Sequence, residues 1–259
     1  MINNIVKDKA SRLFVILGGF FIANAIIAEV IGVKIFSLEE TLGIPKQEFS
    51  LLGVDGLSFD LPVGVIPWPV IFIMTDIINE YYGIKGVKFL TYLTTILIGF
   101  AFIIFYLAIQ FAPETNWWIN SYSEEGVPDM QAAFSAIFGQ GMNIIIGSIT
   151  AFIVGQIADA FIFRRIKKFT GEKKIWMRAT LSTLFSQLID SFIVIYIAFY
   201  IFRNVSFEVC TALALTSYSY KFVVAIIFTP FVYLLHWLVE KYLGKEKAAE
   251  MKKAALESR

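Results

Sequence analysis

The stretch Thr75-Asp76-Ile77-Ile78-Asn79-Glu80-Tyr81-Tyr82-Gly83 places two carboxylates and a carboxamide inside a long apolar run. The polar side chains Asp76, Asn79 and Glu80 are spaced i, i+3 and i+4, so on a helix they share one face. An ionisable group near a bilayer centre costs about 2.5 to 3.5 kcal/mol on insertion scales. The polar face is therefore expected to meet a cavity or another helix rather than lipid, and it predicts one wall of a binding site.

The whole chain shares this apolar character. Of its 259 residues, 58% are hydrophobic and only 17% are charged, and the mean hydropathy is +0.71. This composition lies outside soluble globular usage and predicts an integral membrane protein. The single cysteine, Cys210, excludes an internal disulfide. The sequence lacks a Gly-x-x-x-x-Gly-Lys-Ser/Thr phosphate loop, so ATP hydrolysis by that route is not predicted.

Six apolar runs are long enough to cross a bilayer, which requires about 20 residues. They lie at residues 13–36, 64–83, 88–112, 134–163, 179–202 and 212–239. Lys and Arg are concentrated before the first run, after the second, after the fourth and after the sixth, which all fall on one side. By the positive-inside rule, both termini are then cytoplasmic. We predict an all-α polytopic membrane protein with six transmembrane helices, forming a single domain over residues 1–259.

Two segments outside these runs carry their own predictions. In the first outer loop, Asp55-Gly56 stands between apolar residues such as Leu52 and Leu57, which predicts a small β-hairpin with its turn at Asp55-Gly56. The cytoplasmic tail, residues 244–259, is rich in Lys, Glu and Ala. We predict that it forms a frayed, solvated helix without chemistry.

Polar residues recur inside the predicted spans, three of which carry a polar pair at i, i+3 spacing. Carboxylates and carboxamides beside aromatic rings suit a flat polar heterocycle, because acids accept adjacent N–H donors and rings supply faces for stacking. The sequence therefore predicts a substrate site for such a heterocycle. Its candidate residues are Asp76, Asn79, Glu80, Gln156, Asp159, Gln187, Asp190, Lys221 and Asn24.

The same residues have a purely structural interpretation. Lys221 could pair with Asp159 or Asp190, and the Gln and Asn side chains could bond across helices as packing contacts. Glu80 lies near a span end and could extend to the interface.

Two further ionisable residues are also interpreted structurally. Glu29 in the first span could be a satisfied helix-packing acid, and His236 is expected at the cytoplasmic interface. Neither metal nor cofactor is predicted, because no His or Cys pair has ligand spacing.

Four sequence blocks carry a family resemblance. They are Trp68-Pro69-Val70-Ile71-Phe72-Ile73-Met74-Thr75-Asp76 followed by Gly83, Gly155-Gln156-Ile157-Ala158-Asp159 before Phe163-Arg164-Arg165, Ser182-Thr183-Leu184-Phe185 with Asp190 and Ala198-Phe199, and Tyr218-Ser219-Tyr220-Lys221 with Pro230. In these blocks the chain resembles the queuosine-precursor transporter family, also called the vitamin uptake transporter family, of six-span bacterial inner-membrane proteins.

The resemblance implies import of a deazaguanine base, such as 7-cyano-7-deazaguanine, that cells convert to queuosine in tRNA. By position it implies substrate contacts from Asp76, Gln156, Asp159, Asp190 and Lys221. An alternative is an uptake carrier, or a substrate-capture subunit with an energising partner, for another heterocyclic vitamin or nucleobase. Downstream trapping, a proton taken by a carboxylate, and a separate energising module remain open as driving forces.

Other classes of protein fit less well. An intramembrane aspartyl protease is not predicted, because its Gly-x-Gly-Asp pattern is absent, and the chain is not predicted to be an enzyme. The expected partners are the small heterocyclic base and the lipid bilayer, without nucleic acid. A face of small residues at Gly147, Ala151 and Gly155 could serve a homodimer as well as packing within the chain.

Overall fold

The computed structural model describes residues 7–171 and 174–257, which are mostly helical. The helices are α1 (Lys9–Ile31), α2 (Leu38–Thr41), α3 (Trp68–Gln110), α4 (Met130–Phe138), α5 (Met142–Thr170), α6 (Ile175–Ile195), α7 (Phe207–Leu243) and α8 (Lys245–Glu257). The strands are β1 (Ile35–Ser37), β2 (Phe49–Leu51), β3 (Val54–Leu57) and β4 (Asp60–Pro62). A 3-10 turn (Val63–Val65) precedes α3, and a π-helical segment (Tyr196–Ile201) continues α6.

Five helices within these described ranges are long and apolar enough to cross a membrane. They are Lys9–Ile31, Val63–Gln110, Ile144–Thr170, Ile175–Ile201 and Phe207–Leu243. Large apolar side chains are exposed along them, for example Ile96, Ile103 and Phe161, as lipid-facing helix surfaces require. The predicted all-α polytopic membrane class is thereby confirmed. The first span differs in its bounds, because α1 ends at Ile31 and the chain turns into β1.

The second and third predicted spans both lie within α3, which is broken at Gly83. Gly83 has φ 71° and ψ −179°, a conformation that is essentially restricted to glycine. A Cβ atom at Gly86 would lie 3.4 Å from Cγ2 of Ile78, whereas eight residues of straight helix rise about 12 Å. The chain therefore turns sharply at Gly83, which divides α3 into two helical halves and brings the residues on either side of the turn into contact.

Replacing Gly83 with alanine is expected to lower the free energy of unfolding by about 1 to 3 kcal/mol, because a Cβ atom makes this backbone conformation strained. Gly99→Ala is the matched control, since a Cβ at Gly99 would meet no atom within 4 Å. Thermal unfolding of the detergent-purified variants measures both effects. Equal melting temperatures for the two variants would contradict the glycine-specific backbone conformation at Gly83.

The strands form two antiparallel pairs between α1 and α3. β1 pairs with β4, which joins the end of α1 to the start of α3. β2 pairs with β3, with Phe49 opposite Leu57 and Leu51 opposite Val54. The turn of this second pair is Leu52-Gly53, both with positive φ, so the predicted turn at Asp55-Gly56 is wrong. Asp55 lies within β3, where its carboxylate accepts a hydrogen bond from Ser50 across the pair.

The tail helix α8 is not the solvated helix that composition predicted. Ala248, Met251 and Ala255 are buried, and the first two belong to an apolar cluster with Ile77 and Tyr81 of α3. These positions are spaced i, i+3 and i+7, so they form one apolar stripe on a helix that is otherwise charged. The prediction failed because the high Lys and Glu content concealed this stripe.

Ala255→Asp is expected to release α8 from α3, because Ala255 is buried and a carboxylate at this position loses its hydration when the helix docks. Ala254→Asp, one residue earlier, is the matched control because Ala254 is exposed. Limited trypsin digestion in detergent should cleave α8 of the Ala255→Asp variant about tenfold faster or more than that of wild type. Equal cleavage rates in the two variants would contradict the docking of α8.

Candidate functional site

A central cavity lies between the first half of α3, α6 and α7. It contains three of the predicted site residues, Asp76, Gln187 and Lys221. Four aromatic side chains also line it, namely Trp68, Phe72, Tyr220 and Phe228. Its water-accessible volume is about 40 Å³, which suffices for a few water molecules but not for a heterocyclic base.

Two polar groups in the lining of the central cavity are buried without a hydrogen-bond partner among the described residues. They are Oδ1 of Asp76, an acceptor, and Nε2 of Gln187, a donor. The side chains are nearly inaccessible, with Asp76 2% and Gln187 4% exposed. An unsatisfied buried polar group costs about 1 to 3 kcal/mol. The pair therefore offers one acceptor and one donor to a polar molecule in the cavity.

Three other predicted residues bond across helices and line neither cavity described here. Gln156 accepts a hydrogen bond from Oγ1 of Thr75 at 2.6 Å, which joins α5 to α3. Asp159 accepts one from Oγ of Ser186 at 3.2 Å, which joins α5 to α6. Asn79 donates to a backbone carbonyl of α5 at 2.9 Å. Each of these contacts joins two helices, and Asp159 lies within electrostatic range of Asp76. Nε2 of Gln156 and Oδ2 of Asp159 are buried without a hydrogen-bond partner among the described residues.

Glu80 is fully buried between two cations, so its predicted extension to the interface is wrong. Its Oε1 lies 2.7 Å from Nη2 of Arg178 and 3.2 Å from Nζ of Lys167. Nζ of Lys167 also donates to the backbone carbonyl of Glu80 at 3.3 Å, near the point where Gly83 interrupts the helix. Lys167, near the end of α5, and Arg178, near the start of α6, thus neutralise the buried carboxylate of Glu80. Lys167 also helps to satisfy the backbone carbonyls where the first half of α3 ends.

Two further residues lie away from the cavities. The side-chain amide of Asn24 donates to the carbonyl of Phe20 within α1 at 2.8 Å, and Asn24 lines neither cavity. His236 is 2% exposed, and its Nδ1 lies 3.3 Å from the hydroxyl of Tyr81. His236 is therefore covered by α3 rather than exposed to solvent or lipid.

A larger strand-side cavity lies between α1, α5, α6 and α7, and β1 and β4 border one end of it. Its water-accessible volume is about 330 Å³, at the lower end of the range for small-molecule sites. The polar side chains of its helices are Glu29, Ser148, Asp190, Thr216, Ser217 and Lys221.

Lys221 and Asp190 form an ion pair where the two cavities adjoin. Nζ of Lys221 lies 2.6 Å from Oδ2 of Asp190, and both side chains are largely buried. Lys221 and Trp68 line both cavities. Of the two sequence-based partners for Lys221, the structure selects Asp190.

The small-residue face of α5 packs within the chain. A Cβ atom at Gly147 would lie 3.1 Å from the carbonyl oxygen of Val194. One at Gly155 would lie 3.6 Å from Cβ of Asp190. The glycines therefore bring α5 close to α6 beside the ion pair, as small residues do in membrane helix pairs.

Sequence reasoning left two cavity residues out of the candidate site. Glu29 was interpreted as a packing acid, yet it lines the strand-side cavity. A carboxylate without a basic neighbour on an apolar span is the signal that identifies it. Trp68 follows Pro67 at the start of α3 and packs on Phe72 and Phe152 at centroid distances of 6.0 and 5.8 Å. No local signal distinguishes such a tryptophan from an interfacial one.

The fold and cavities define a multi-pass membrane protein with two adjoining cavities among its helices, each mainly apolar with a few polar and charged side chains. The family described as "Putative vitamin uptake transporter" matches residues 62–235, which is more than half of the chain. The protein belongs to this family. The matched region includes α3, α5 and α6 entirely and most of α7, and α3, α6 and α7 enclose the central cavity.

Three curated relatives carry related names. The chain is 28% identical over 172 residues to the "Probable queuosine precursor transporter" of Bacillus subtilis (strain 168), covering 66% of this chain and 69% of the relative. It is 26% identical over 199 residues to the "Queuosine precursor transporter" of Escherichia coli (strain K12), covering 76% and 82%. It is 26% identical over 196 residues to a "Probable queuosine precursor transporter" of Haemophilus influenzae, covering 76% and 74%. No solved structure is significantly similar to the chain.

Proposed function

We propose that the protein imports a queuosine precursor, a deazaguanine base such as 7-cyano-7-deazaguanine, across the bacterial inner membrane. The observation that carries the proposal is the pair of unsatisfied groups of Asp76 and Gln187 beside aromatic rings in the central cavity. A guanine-like edge presents adjacent N–H donors and a ring carbonyl. The carboxylate of Asp76 can accept from the donors, and the amide of Gln187 can donate to the carbonyl.

The transmembrane arrangement belongs to the same proposal. The 43 residues of α3 would extend about 65 Å as a straight helix, roughly twice the hydrocarbon thickness of a bilayer. We propose that each half of α3 crosses separately, with the sharp turn at Gly83 between the two crossings. The chain then crosses six times with both termini on one side, and the distribution of Lys and Arg makes that side cytoplasmic.

Within this arrangement, the predicted site residues divide into two groups. Asp76, Gln187, Asp190 and Lys221 border the cavities and are the proposed substrate contacts. Asn79, Glu80, Gln156 and Asp159 bond between the helices that form these walls, and Asn24 bonds within α1. The substrate enters the larger strand-side cavity first and reaches the central cavity as the helices move apart, in an alternating-access cycle.

Recovery of queuosine in tRNA tests the proposal. The host is a strain that neither makes the precursor nor has its own importer, and it receives nanomolar 7-cyano-7-deazaguanine. Wild-type protein is expected to restore queuosine, measured by the altered mobility of modified tRNA in boronate gels. Absence of recovery, with the protein present in the membrane at normal abundance, would contradict the assignment. The same strain would then be screened for uptake of other heterocyclic vitamins.

A further inference from the structure

Glu29 is a buried acid that the proposed binding site does not use. It lies on α1, is 7% exposed and lines the strand-side cavity. The hydroxyl of Ser148 on α5 donates a hydrogen bond to its Oε1. Within residues 7–171 and 174–257, Glu29 makes no ion pair. It is therefore a carboxyl group inside a membrane protein that contacts a hydroxyl and water-accessible space rather than a cation.

The other charged groups of this cavity are already paired. Asp190 of α6 and Lys221 of α7 neutralise each other at 2.6 Å. Asp60 of β4 is paired with Lys46 at 2.7 Å. The parts of α3 and α5 that line the cavity contribute no charged side chain. Among the residues that line the strand-side cavity, Glu29 is thus an acid for which no unpaired lining cation is available.

This arrangement makes the protonation of Glu29 depend on the width of the cavity. A carboxylate can keep its charge while water fills the strand-side cavity. Closing the cavity removes that water, and an ionised group without a counter-ion is then strongly disfavoured. The neutral acid tolerates closure, because its hydroxyl and carbonyl need only hydrogen-bond partners such as Ser148.

We propose that Glu29 is the proton-coupling residue of transport, an inference that rests on the proposed uptake function. With the strand-side cavity open to the outside, the Glu29 carboxylate binds one proton from external water and becomes a carboxylic acid. The cavity then closes with substrate inside, and the proton leaves Glu29 for the cytoplasm after the opposite side opens. Each cycle therefore moves one proton inward with one substrate molecule.

Reconstituted liposomes can separate this inference from the proposed function. Wild type, Glu29→Gln and the exposed control Glu124→Gln are reconstituted at equal density and assayed with radiolabelled 7-cyano-7-deazaguanine. One assay measures exchange of base for base without a gradient. The other measures accumulation driven by an acidic exterior, with the membrane potential clamped at zero. One-to-one coupling predicts about tenfold accumulation for each pH unit in wild type and in Glu124→Gln.

Glu29→Gln is expected to retain exchange, with an accumulation ratio near one, because glutamine resembles the neutral acid but cannot release a proton. Wild type that exchanges the base without acid-driven accumulation would overturn the coupling inference alone. Accumulation by Glu29→Gln, or its loss of exchange, would also overturn the role of Glu29 in coupling. Wild type that does not exchange the base would overturn the proposed function, and the inference with it.

Discussion

Asp76→Asn is expected to lower substrate uptake by roughly ten- to a hundredfold while leaving the protein in the membrane at normal abundance. A hydrogen bond to a charged group contributes about 1.5 to 3 kcal/mol, and asparagine at this position both removes the charge and presents an N–H group. The carboxylate has no intramolecular partner at Oδ1 among the described residues. Loss of the carboxylate should therefore weaken substrate binding more than it lowers the stability of the fold.

Initial rates of uptake in liposomes, measured over a range of base concentrations, check this expectation. Asp55→Asn is the matched control, because Asp55 is exposed in β3 and lines neither cavity. Asp76→Asn should raise the concentration required for half-maximal uptake, whereas the control should behave as wild type. Uptake by Asp76→Asn within twofold of wild type would remove Asp76 from the binding site.

Glu80→Ala is expected to destabilise the protein by about 3 to 5 kcal/mol, the usual cost of breaking a buried ion pair by removing one partner. The side chains of Arg178 and Lys167 are 0% and 3% exposed, so the variant leaves two buried cations without their carboxylate. Such a loss approaches the whole stability of a typical domain. Low membrane abundance and a strongly lowered melting temperature in detergent should result.

Paired replacement distinguishes this electrostatic effect from a simple loss of packing. Glu80→Met combined with Arg178→Met should be less destabilising than the sum of the single changes, because apolar side chains can replace a buried ion pair at small cost. Glu240→Ala is a control, since Glu240 pairs with Lys252 while 38% exposed and should contribute less than about 1 kcal/mol. Additive melting-temperature changes for Glu80 and Arg178 would contradict the interpretation.

Hydropathy predicts the class of this fold well, because a bilayer requires long apolar helices. The direction of each polar side chain is harder to predict. Asp76, Asn79 and Glu80 share one helix face, yet they reach the central cavity, α5 and the cation pair respectively. Spacing identifies a face, but that face meets several neighbouring helices. Arg178 is 98 residues from Glu80 in the chain, so no local pattern connects them.

Two errors in the fold have a related cause. The turn of the second strand pair depends on the positive φ angles of Leu52 and Gly53, whereas the sequence pattern indicated the later pair Asp55-Gly56. The docking of α8 depends on the narrow apolar stripe of Ala248, Met251 and Ala255, whereas composition averages over the whole helix. Patterns over many residues, such as span length, are therefore predicted more accurately than features that depend on one backbone angle or one helix face.

The pairing of Lys221 with Asp190 also bears on how α7 is inserted into the membrane during synthesis. A lone lysine at the centre of an inserting helix costs about 2.5 to 3.5 kcal/mol at the translocon. α5 and α6 are synthesised before α7 and pack closely at Gly155 beside Asp190, so the counter-ion is already in the bilayer when α7 emerges. We therefore expect insertion of α7 to depend on α5 and α6. Asp190 would provide the counter-ion for Lys221, without which α7 inserts poorly.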